Sequence, residues 1–595
     1  MRVFGRRGRV AASAGGAILL FCSIFSFAPI AGAQDPGDPV DLRGFATGQP
    51  AHVSALESGG TRVADAEIAW SGAAVDADAD GLKGAKLNEM NRIFQPDKSG
   101  KLSYARGSGL EIGLGTTPAD PNTIILAALA EADAAPSSDA TEEFAVEGAD
   151  PLAYASLVRG QAVANANESG LVPDVCVLGD DLSRGLGFAA DAQLVDAGAD
   201  TASPELDGPL VALDDQDGPG VKRAVSQSLS RMKLVPGGAA NNFGLMAEVR
   251  QTIAPVTLLR ADPTDVTRAI TIEVLGEWVL RVVANGKSGG ASVFYGPGDV
   301  SPQTDILRII DSDNAVTDIL KFQDIFGPTG FTALNIPGVL DLTIGEDPRA
   351  IAAPGQDPDP DSKPTIAANG TAASAAVDVV RIQLLSQPDP QAADIRVGHM
   401  EVSTEVPTGG VNCPIPVSKS ADPDNIKIQE EPDTSTIEIT VHNVYDCDLE
   451  DVVLTDHITQ QTGEPDFKLT AADPTPDSPD IPTGVLTSAD VKWSLGTIEK
   501  GETKSVTLDL QSAGSGGILR DVAEASGSFA NCEGQDASGL AIAGLDLSGL
   551  SVPVDVAIET PVTGAAAAQT VATGGGLTAA AAGFGLLLRR RNRKT

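Results

Sequence analysis

Histidine, cysteine and aromatic residues are scarce in this chain. Its 595 residues include 4 histidines and 5 cysteines, and aromatic residues make up 4% of the total. No CxxC pair, HExxH motif or close pair of histidines occurs. Zinc sites, redox motifs and metalloprotease chemistry therefore have no support. The low aromatic content also argues against a sugar-binding cleft, in which tryptophan and tyrosine usually stack on the sugar rings.

Basic residues are also few, at 41 lysines and arginines against 81 acidic residues, which gives a formal net charge of −40. A surface this acidic excludes nucleic acid and anionic surfaces as partners. The hydrophobic fraction of 42% is nevertheless sufficient for well-packed cores, so the chain is not a disordered stalk.

The amino terminus has the pattern of a secretory signal peptide, which we place at residues 1–33. Four arginines precede an apolar run from Ala17 to Ile30, and Ala31-Gly32-Ala33 follows as a small-x-small cleavage site. The bulky Phe21 before Cys22 argues against a lipoprotein signal. We therefore expect ordinary export and a mature chain that begins near Gln34.

The carboxyl terminus, residues 565–595, combines a hydrophobic segment with a cationic tail. Residues 565–588 carry no charge and would measure about 36 Å as a helix, against a hydrocarbon core of about 30 Å. Alanine, threonine and glycine dilute this span, so it predicts a marginal anchor. The tail would act as a cytoplasmic stop; its cations are Arg589, Arg590, Arg591, Arg593 and Lys594.

A pentapeptide precedes the hydrophobic segment within a linker at 551–564, and it reads Thr560, Pro561, Val562, Thr563 and Gly564. The order of motif, apolar segment and basic tail resembles the cell-wall sorting signal of Gram-positive bacteria. A sortase cuts the LPxTG motif of that signal between threonine and glycine. Thr560 stands where the motif has leucine. The expected partners are thus a sortase and peptidoglycan, with plain membrane anchoring as the alternative.

Alternating apolar residues in the last third of the chain predict a mainly β fold. Residues 436–442 and 503–510 alternate apolar and polar side chains, and further strand-like runs are LEDVVLTDHI, VKWSLGTI and RDVAEASGSFANC. Short strands at this spacing are typical of an antiparallel sandwich, which we place at 411–550. Trp493 is expected in its core.

These residues carry a resemblance to a known module. NVYDCDLEDVVLTDHI followed by VKWSLGTIEKGETKSVTLDL is similar to an Ig-like repeat of bacterial surface proteins that is classed as a domain of unknown function. The resemblance covers roughly residues 413–535. It implies a spacer or stalk and no chemistry.

Residues 34–410 read as a large β-rich ectodomain with short helices. Asn285-Gly286 separates two strand-like runs and predicts a hairpin. Gly286-Lys287-Ser288-Gly289-Gly290 fits the GxSxG elbow of hydrolases, but a second strand follows it where that elbow needs a helix, so a turn is predicted. PNTIILAALAEADAAP is the best helix candidate.

Together with ARGSGLEIGLGTT, CPIPVSKSADPDN and the sorting-like tail, this region resembles actinobacterial surface proteins grouped as choice-of-anchor G. Members of that group share an ectodomain and differ in how they are fixed to the envelope. The resemblance implies a surface protein without a known activity.

One acidic stretch begins like a calcium-binding EF-hand loop, with Asp76, Asp78 and Asp80 before Gly81. Its twelfth position is Leu87 and not a glutamate, so the full loop is absent. We expect a solvated acidic turn, with a weak calcium site as the alternative. No other cofactor is indicated.

Four cysteines remain after removal of the signal peptide, and an even number in an exported chain indicates up to two disulfides. Several pairings are possible. We expect Cys447 to pair with Cys532, because both lie at one end of the predicted sandwich. Cys176 would then pair with Cys413 and tie the ectodomain to its spacer, with a Cys413–Cys532 pair as the rival.

These observations favour a non-catalytic protein of the Gram-positive cell surface, structural or adhesive, in which an Ig-like spacer carries a β-rich head. A calcium- or glycan-binding adhesin is the alternative. A secreted hydrolase is a further possibility, and it would need a deep pocket with two convergent carboxylates or a serine–histidine pair.

Overall fold

The computed structural model confirms the mainly β architecture, and its strands form several antiparallel sheets. It describes residues 41–58, 61–78, 81–82, 98–116, 124–134, 136–149, 153–196, 209–213, 225–237, 241–258, 270–298, 301–310, 316–326, 334–336, 340–344, 347–352, 359, 361–384, 391–427, 433–477, 481, 483–530, 546–548 and 552–559. The expected signal peptide, sorting motif and hydrophobic segment lie outside these residues.

The first strands of the chain build most of one large sheet. They are β1 (Arg43–Ser58), β2 (Thr61–Ile68), β3 (Ser71–Asp76), β4 (Gly81–Leu82), β5 (Lys98–Ser99), β6 (Ser103–Gly107), β7 (Leu110–Thr116), β8 (Ile124–Ala127) and β9 (Ala130–Ala134). β4 and β5 pair only with each other, and the rest join the sheet around the long strand β1.

A second large sheet follows directly in sequence. It contains β10 (Ser138–Ala149), β11 (Ala153–Ala164), β12 (Ser183–Ala190), β13 (Ala192–Asp196), β14 (Pro209–Leu213), β15 (Val225–Pro236), β16 (Asn242–Thr252), β17 (Val256–Leu258), β18 (Ile270–Val274), β19 (Glu277–Ala284), β20 (Ser292–Pro297), β21 (Asp305–Ile310) and β22 (Val316–Lys321). A single-turn helix, α1 (Phe322–Phe326), ends this run.

The chain then returns to the first sheet. The returning strands are β23 (Leu334–Ile336), β24 (Leu340–Ile344), β25 (Thr365–Ile366), β26 (Ala372–Val377), β27 (Val380–Leu384) and β28 (Gln391–Glu405), and β29 (Val411–Asn412) joins the second sheet. β28 pairs with β1 along most of its length. We call these two sheets the head.

The two sheets of the head approach unusually closely where glycines face each other. A Cβ on Gly107 would lie 2.0 Å from the Leu186 carbonyl oxygen, and a Cβ on Gly185 would lie 2.2 Å from the Arg106 carbonyl oxygen. No side chain fits in that space. Glycine at these two positions is therefore a packing requirement of the interface.

The C-terminal strands form the predicted Ig-like sandwich, which we call the module. They are β30 (Val417–Asp422), β31 (Asn425–Lys427), β32 (Thr434–His442), β33 (Asp448–Gly463), β34 (Phe467–Asp473), β35 (Ser488–Ile498), β36 (Thr503–Ser512), β37 (Gly517–Ala530), β38 (Asp546–Ser548) and β39 (Val552–Glu559). One sheet has the order β30-β32-β36-β34 and the other β31-β39-β37-β33-β35. Trp493 lies in the core at 1% exposure, as predicted.

Two predictions about secondary structure are wrong. Residues 124–134 form the strands β8 and β9 and not a helix. Pairing of these strands with β7 and β6 overrides the helix propensity of the alanines. Residues 552–559, expected in a linker, form β39 beside β37. Val556 is fully buried there, because apolar residues alternate along this segment and cover the core.

The hairpin around Asn285-Gly286 is confirmed, since β19 and β20 pair in antiparallel fashion on either side of it. Gly286 has a φ of 72°, a value that favours glycine. Among the described residues, no helix has the length and apolar character needed to span a membrane.

Candidate functional site

The acidic turn that resembles an EF-hand begins at the end of β3. Asp76 is the last residue of that strand, and its Oδ1 accepts a hydrogen bond of 3.1 Å from the Asp78 backbone N–H. Burial raises the pKa of Asp76. Asp80 lies outside the described residues. Within the part of the chain that the structure describes, no three acidic, histidine or cysteine side chains are placed to hold a metal ion.

The cysteines meet at the junction of head and module. Cys176 and Cys413 form a disulfide with a Cα–Cα distance of 5.6 Å. The sequence predicted this pair as the one that accompanies a Cys447–Cys532 disulfide. The Cys176–Cys413 disulfide joins the segment between β11 and β12 to the connection between β29 and β30. Cys447 is disulfide-bonded as well. Its expected partner, Cys532, lies outside the described residues.

Hydrogen bonds reinforce this junction on both sides of the disulfide. Asn167 Nδ2 donates to the Val444 carbonyl oxygen at 3.1 Å, and the Asp446 N–H donates to the Leu178 carbonyl oxygen at 3.2 Å. The buried Tyr445 hydroxyl donates to the Pro414 carbonyl oxygen at 2.5 Å. One continuous hydrophobic core extends from the head into the module, so the two parts share an interior.

A cleft of about 580 Å³ opens beside the disulfide. Its volume is within the range of small-molecule sites. The head contributes Asn165, Glu168 and Asp180 to its walls, and the module contributes His442, Asp446 and Lys500, among other residues. Lys500 pairs with Asp446, and the pKa of Lys500 is raised by that hydrogen bond. The cleft is thus lined by more acidic than basic groups.

A serine–histidine pair is present next to this cleft. His442 Nε2 lies 3.0 Å from Ser418 Oγ on the neighbouring strand, and Ser418 is exposed on the sheet surface. Burial lowers the pKa of His442. No carboxylate of the described residues contacts this histidine, so nothing there fixes its tautomer as a catalytic triad requires. The pair therefore does not support the hydrolase hypothesis.

The most unusual group of polar side chains lies inside the module. Lys419 extends from β30 in one sheet, and its Nζ contacts Oδ1 of Asp456 on β33 and Oδ1 of Asp521 on β37 in the other sheet. All three side chains are completely buried at 0% exposure. We call this group the Lys419 site.

Strand register explains how two aspartates converge on one lysine. β33 and β37 are antiparallel neighbours, and Asp456 pairs with Ala523 while Asp521 pairs with Ile458. The two carboxylates are therefore diagonal neighbours on one face of the sheet. That face is directed at the opposite sheet, where Lys419 lies between Val417 and Ala421 on the inward side of β30.

Electrostatics at the Lys419 site are unbalanced, since one amine faces two carboxyl groups. Burial, and after it the Asp456 carboxylate, raise the pKa of Asp521 well above its usual range, although Lys419 opposes this shift. Oδ2 of Asp456 and Oδ2 of Asp521 have no hydrogen-bond partner. A buried site with a spare anion is expensive unless one carboxyl group is protonated, and its raised pKa makes Asp521 the carboxyl group that favours the protonated form.

Among the buried ionic groups of the head, two have several cations around one carboxylate, and arginine supplies most of the positive charge in both. Glu248 is fully buried and accepts from Arg231, Arg250 and Arg281 at 2.6–2.9 Å. Burial alone would raise the pKa of Glu248, but the three guanidinium groups hold it below its usual value.

The second group surrounds Asp378. Its Oδ2 lies 2.6 Å from Arg349 and 3.7 Å from Arg396, and its Oδ1 lies 2.6 Å from His399 Nδ1. Burial is outweighed by these charges, so the pKa of Asp378 is well below its usual range. The arrangement is enclosed within the head and matches a structural role for His399.

The Lys419 site was not predicted from the sequence, although the alternating strands contain a signal for it. Each of its three residues occupies an inward position in a strand whose other inward residues are apolar or small. A charged residue in that phase of an alternating pattern is either misplaced or paired inside the core. Three charged residues at inward positions of one module therefore indicate a buried ionic group.

Comparison with known proteins adds no function. No protein family and no curated protein matches the chain. Among solved structures, it is similar to one titled "AvmM Catalyzes Macrocyclization in Alchivemycin A Biosynthesis", at 17% identity and a TM-score of 0.16, covering 26% of this chain and 93% of that chain. A TM-score this low does not carry an argument about fold or activity.

Proposed function

We propose that this is a non-catalytic protein of the Gram-positive cell surface, exported by its signal peptide and attached through its carboxyl terminus. The head would present a structural or adhesive surface, and the Ig-like module would hold it away from the envelope. In this proposal the chain needs a firm connection between head and module and no reactive site that turns over a substrate.

The observation that carries the proposal is the disulfide between Cys176 and Cys413 at the junction of head and module. Disulfides form and persist outside the cytoplasm, which supports export. This one also restrains the two parts where a jointed spacer would otherwise bend. The shared core and the Asn167–Val444 hydrogen bond act in the same direction.

The acidic character of the chain supports the same proposal. A formal net charge of −40 keeps an exposed protein soluble and disfavours adhesion to nucleic acid. Of the features required for a hydrolase, the described residues provide a cleft and the Ser418–His442 pair beside it, and no carboxylate of the described residues contacts His442. The calcium alternative rests on Asp76 and Asp78, which bond within their own turn.

The attachment can be tested with Thr563→Ala in a Gram-positive host that has a sortase. If the motif is cut, the wild-type protein is released from the wall by a muramidase and lacks residues 564–595. The variant then moves to the membrane or the medium. Val562→Ala is the matched control, because that position is free in the motif, and its wall fraction stays unchanged.

Mass spectrometry of the wall-released protein decides between the two forms of attachment. An intact terminus ending in RRRNRKT would exclude sortase cleavage and leave membrane anchoring. Failure of the wild-type protein to react with an impermeant amine label on intact cells would refute the surface location itself.

A further inference from the structure

The Lys419 site brings an amine and a carboxylic acid together in a dry interior. Lys419 Nζ contacts carboxylate oxygens of both aspartates, and none of the three side chains is exposed to water. In water, amide formation from these groups is opposed by hydration of the ions and by hydrolysis. Burial removes both obstacles, since it takes the groups out of contact with the water that would hydrate the ions and reverse the reaction.

We propose that Lys419 and Asp521 condense to an intramolecular amide bond between Nζ and Cγ, with Asp456 transferring the protons. The bond forms within the folded chain and requires no cofactor and no second protein. It is a modification of the module itself and does not depend on where the protein is located or how it is attached.

The roles of the two aspartates follow from their protonation. A neutral carboxylic acid accepts a nucleophile at carbon, whereas a carboxylate resists it. Asp521 takes the role of the acid, since its Oδ1 contacts Lys419 Nζ in the buried site and burial together with the adjacent Asp456 charge raises its pKa. Asp456 contacts the lysine ammonium directly, so its carboxylate is placed to act as the base for that group.

The step balances without an external reagent. The Lys419 ammonium gives one proton to the Asp456 carboxylate, and the free amine attacks Cγ of the Asp521 acid. The nitrogen of the tetrahedral intermediate loses a second proton as the C–O bond breaks, and the hydroxyl group leaves as water. The products are one amide, one water molecule and a protonated Asp456, with the same atoms and the same zero net charge as the reactants.

The product removes the electrostatic cost of the site. A buried ammonium, a buried carboxylate and an acid become a neutral amide and a neutral acid, so no ion is left in the core. Protonated Asp456 can donate from Oδ2, an atom without a partner before the reaction, to the new carbonyl group. The reaction therefore satisfies a buried polar atom as well.

The position of the bond suggests what it does. Lys419 lies on β30, the first strand of the module after the disulfide-bonded connection to the head, and Asp521 lies 102 residues later on β37. β37 pairs with β39, the last described strand before the carboxyl terminus. The bond itself does not depend on attachment, but this role rests on the proposed function: in a protein attached through its carboxyl terminus, a covalent bond from β30 to β37 would clamp the two sheets together between the points where a pulling force enters and leaves.

Peptide mapping of the full chain tests the proposal directly. After reduction, alkylation and trypsin digestion, we expect the peptide containing Lys419 to be joined to the peptide that begins at Asp521, with the pair lighter than its sum by one water. Trypsin should not cut after Lys419. Recovery of an unmodified Lys419 peptide from folded wild-type protein would overturn the proposal, and a link to Asp456 would overturn the assignment of Asp521 as the acid.

Variants separate the reaction from the fold. Lys419→Arg keeps a cation in the site but cannot form the bond, and Asp456→Asn keeps the side-chain shape but removes the base, so both should yield uncrosslinked chains. Lys500→Arg is the matched control, because Lys500 pairs with Asp446 on the same module at the surface, where water prevents condensation. It should retain the full crosslink. A crosslink in folded Asp456→Asn would contradict the role of Asp456.

Discussion

Removal of the Cys176–Cys413 disulfide should both destabilise the protein and uncouple the module from the head. The bond spans 237 residues. A chain-entropy estimate for a loop of this length is about 5.5 kcal/mol, and measured losses for native disulfides are usually about 2–5 kcal/mol. We therefore expect Cys176→Ala/Cys413→Ala to lose roughly 2–5 kcal/mol of unfolding free energy, a large part of a typical domain's stability.

The three tryptophans make the uncoupling measurable. Trp70 and Trp278 are buried in the head, and Trp493 is buried in the module. Guanidinium denaturation followed by fluorescence, with and without Trp493→Phe, reports the two parts separately. The wild-type transitions of head and module should coincide, because the parts share a core. In the double-cysteine variant we expect them to separate along the denaturant axis.

The matched control is Val177→Ala. Val177 is buried beside Cys176, and its truncation should cost about 1–2 kcal/mol through lost apolar burial while the disulfide stays closed. The transitions should remain coincident. Equal midpoints for the double-cysteine variant and the wild type would refute the argument, as would separation of the transitions in Val177→Ala.

Two further predictions concern the cores of the head and the module. Glu248→Gln should destabilise the head by about 3–5 kcal/mol, because three arginines lose a buried counter-ion. Calorimetry measures this loss. The control is Glu277→Gln, which changes an exposed carboxylate. The pKa of Glu248 is depressed in the folded state, so its contribution is present above the unfolded pKa and is lost as the pH falls through the folded pKa. Stability measured against pH should therefore decline more steeply on the acid side for the wild type than for Glu248→Gln. Trp493→Ala should cost about 3–5 kcal/mol, and Trp493→Phe about 1 kcal/mol through the lost hydrogen bond to the Pro474 carbonyl oxygen, both measured by denaturation of the module.

The strands of the module were predictable because one face of each is buried. Ile437, Ile439 and Val441 are fully buried and alternate with polar residues along β32, and Leu508 and Leu510 do the same along β36. A period of two in such segments is direct evidence for a half-buried strand. The hairpin at Asn285-Gly286 was predictable for a local reason too, since its turn needs a glycine with positive φ.

The failures come from pairing between distant segments. Residues 124–134 are rich in alanine, and only the partner strands β7 and β6 make them extended. β39 was not predicted, although its apolar residues alternate, because it contains Pro553 and proline is unfavourable inside a strand. That proline lies opposite Val522 on β37, away from residues 557–559 that pair with β31, so its missing N–H is not needed.

Local sequence patterns also do not show which residues meet at the Lys419 site, because that depends on pairing between distant segments. The sequence places Lys419 in an alternating segment but does not show that Asp521, 102 residues later, faces it across the sandwich. The disulfide pairing was partly accessible, because few cysteines leave few combinations. Charged residues leave many combinations, and only the sheet register selects among them.

The Lys419 site differs from the Glu248 and Asp378 groups in the property that decides whether a buried ionic group can react. At Glu248 and Asp378 the cations are mainly arginines, which stay protonated and are poor nucleophiles, so those carboxylates remain ions held by hydrogen bonds. At the Lys419 site the cation is the ammonium group of a lysine, whose amine is a nucleophile once a neighbouring base has taken its proton. It also faces two carboxyl groups, so a base is available in addition to an acid. The Glu248 and Asp378 groups therefore serve as internal controls in the same digest. Their carboxylates are equally buried but face no amine, so they should give no crosslinked peptide.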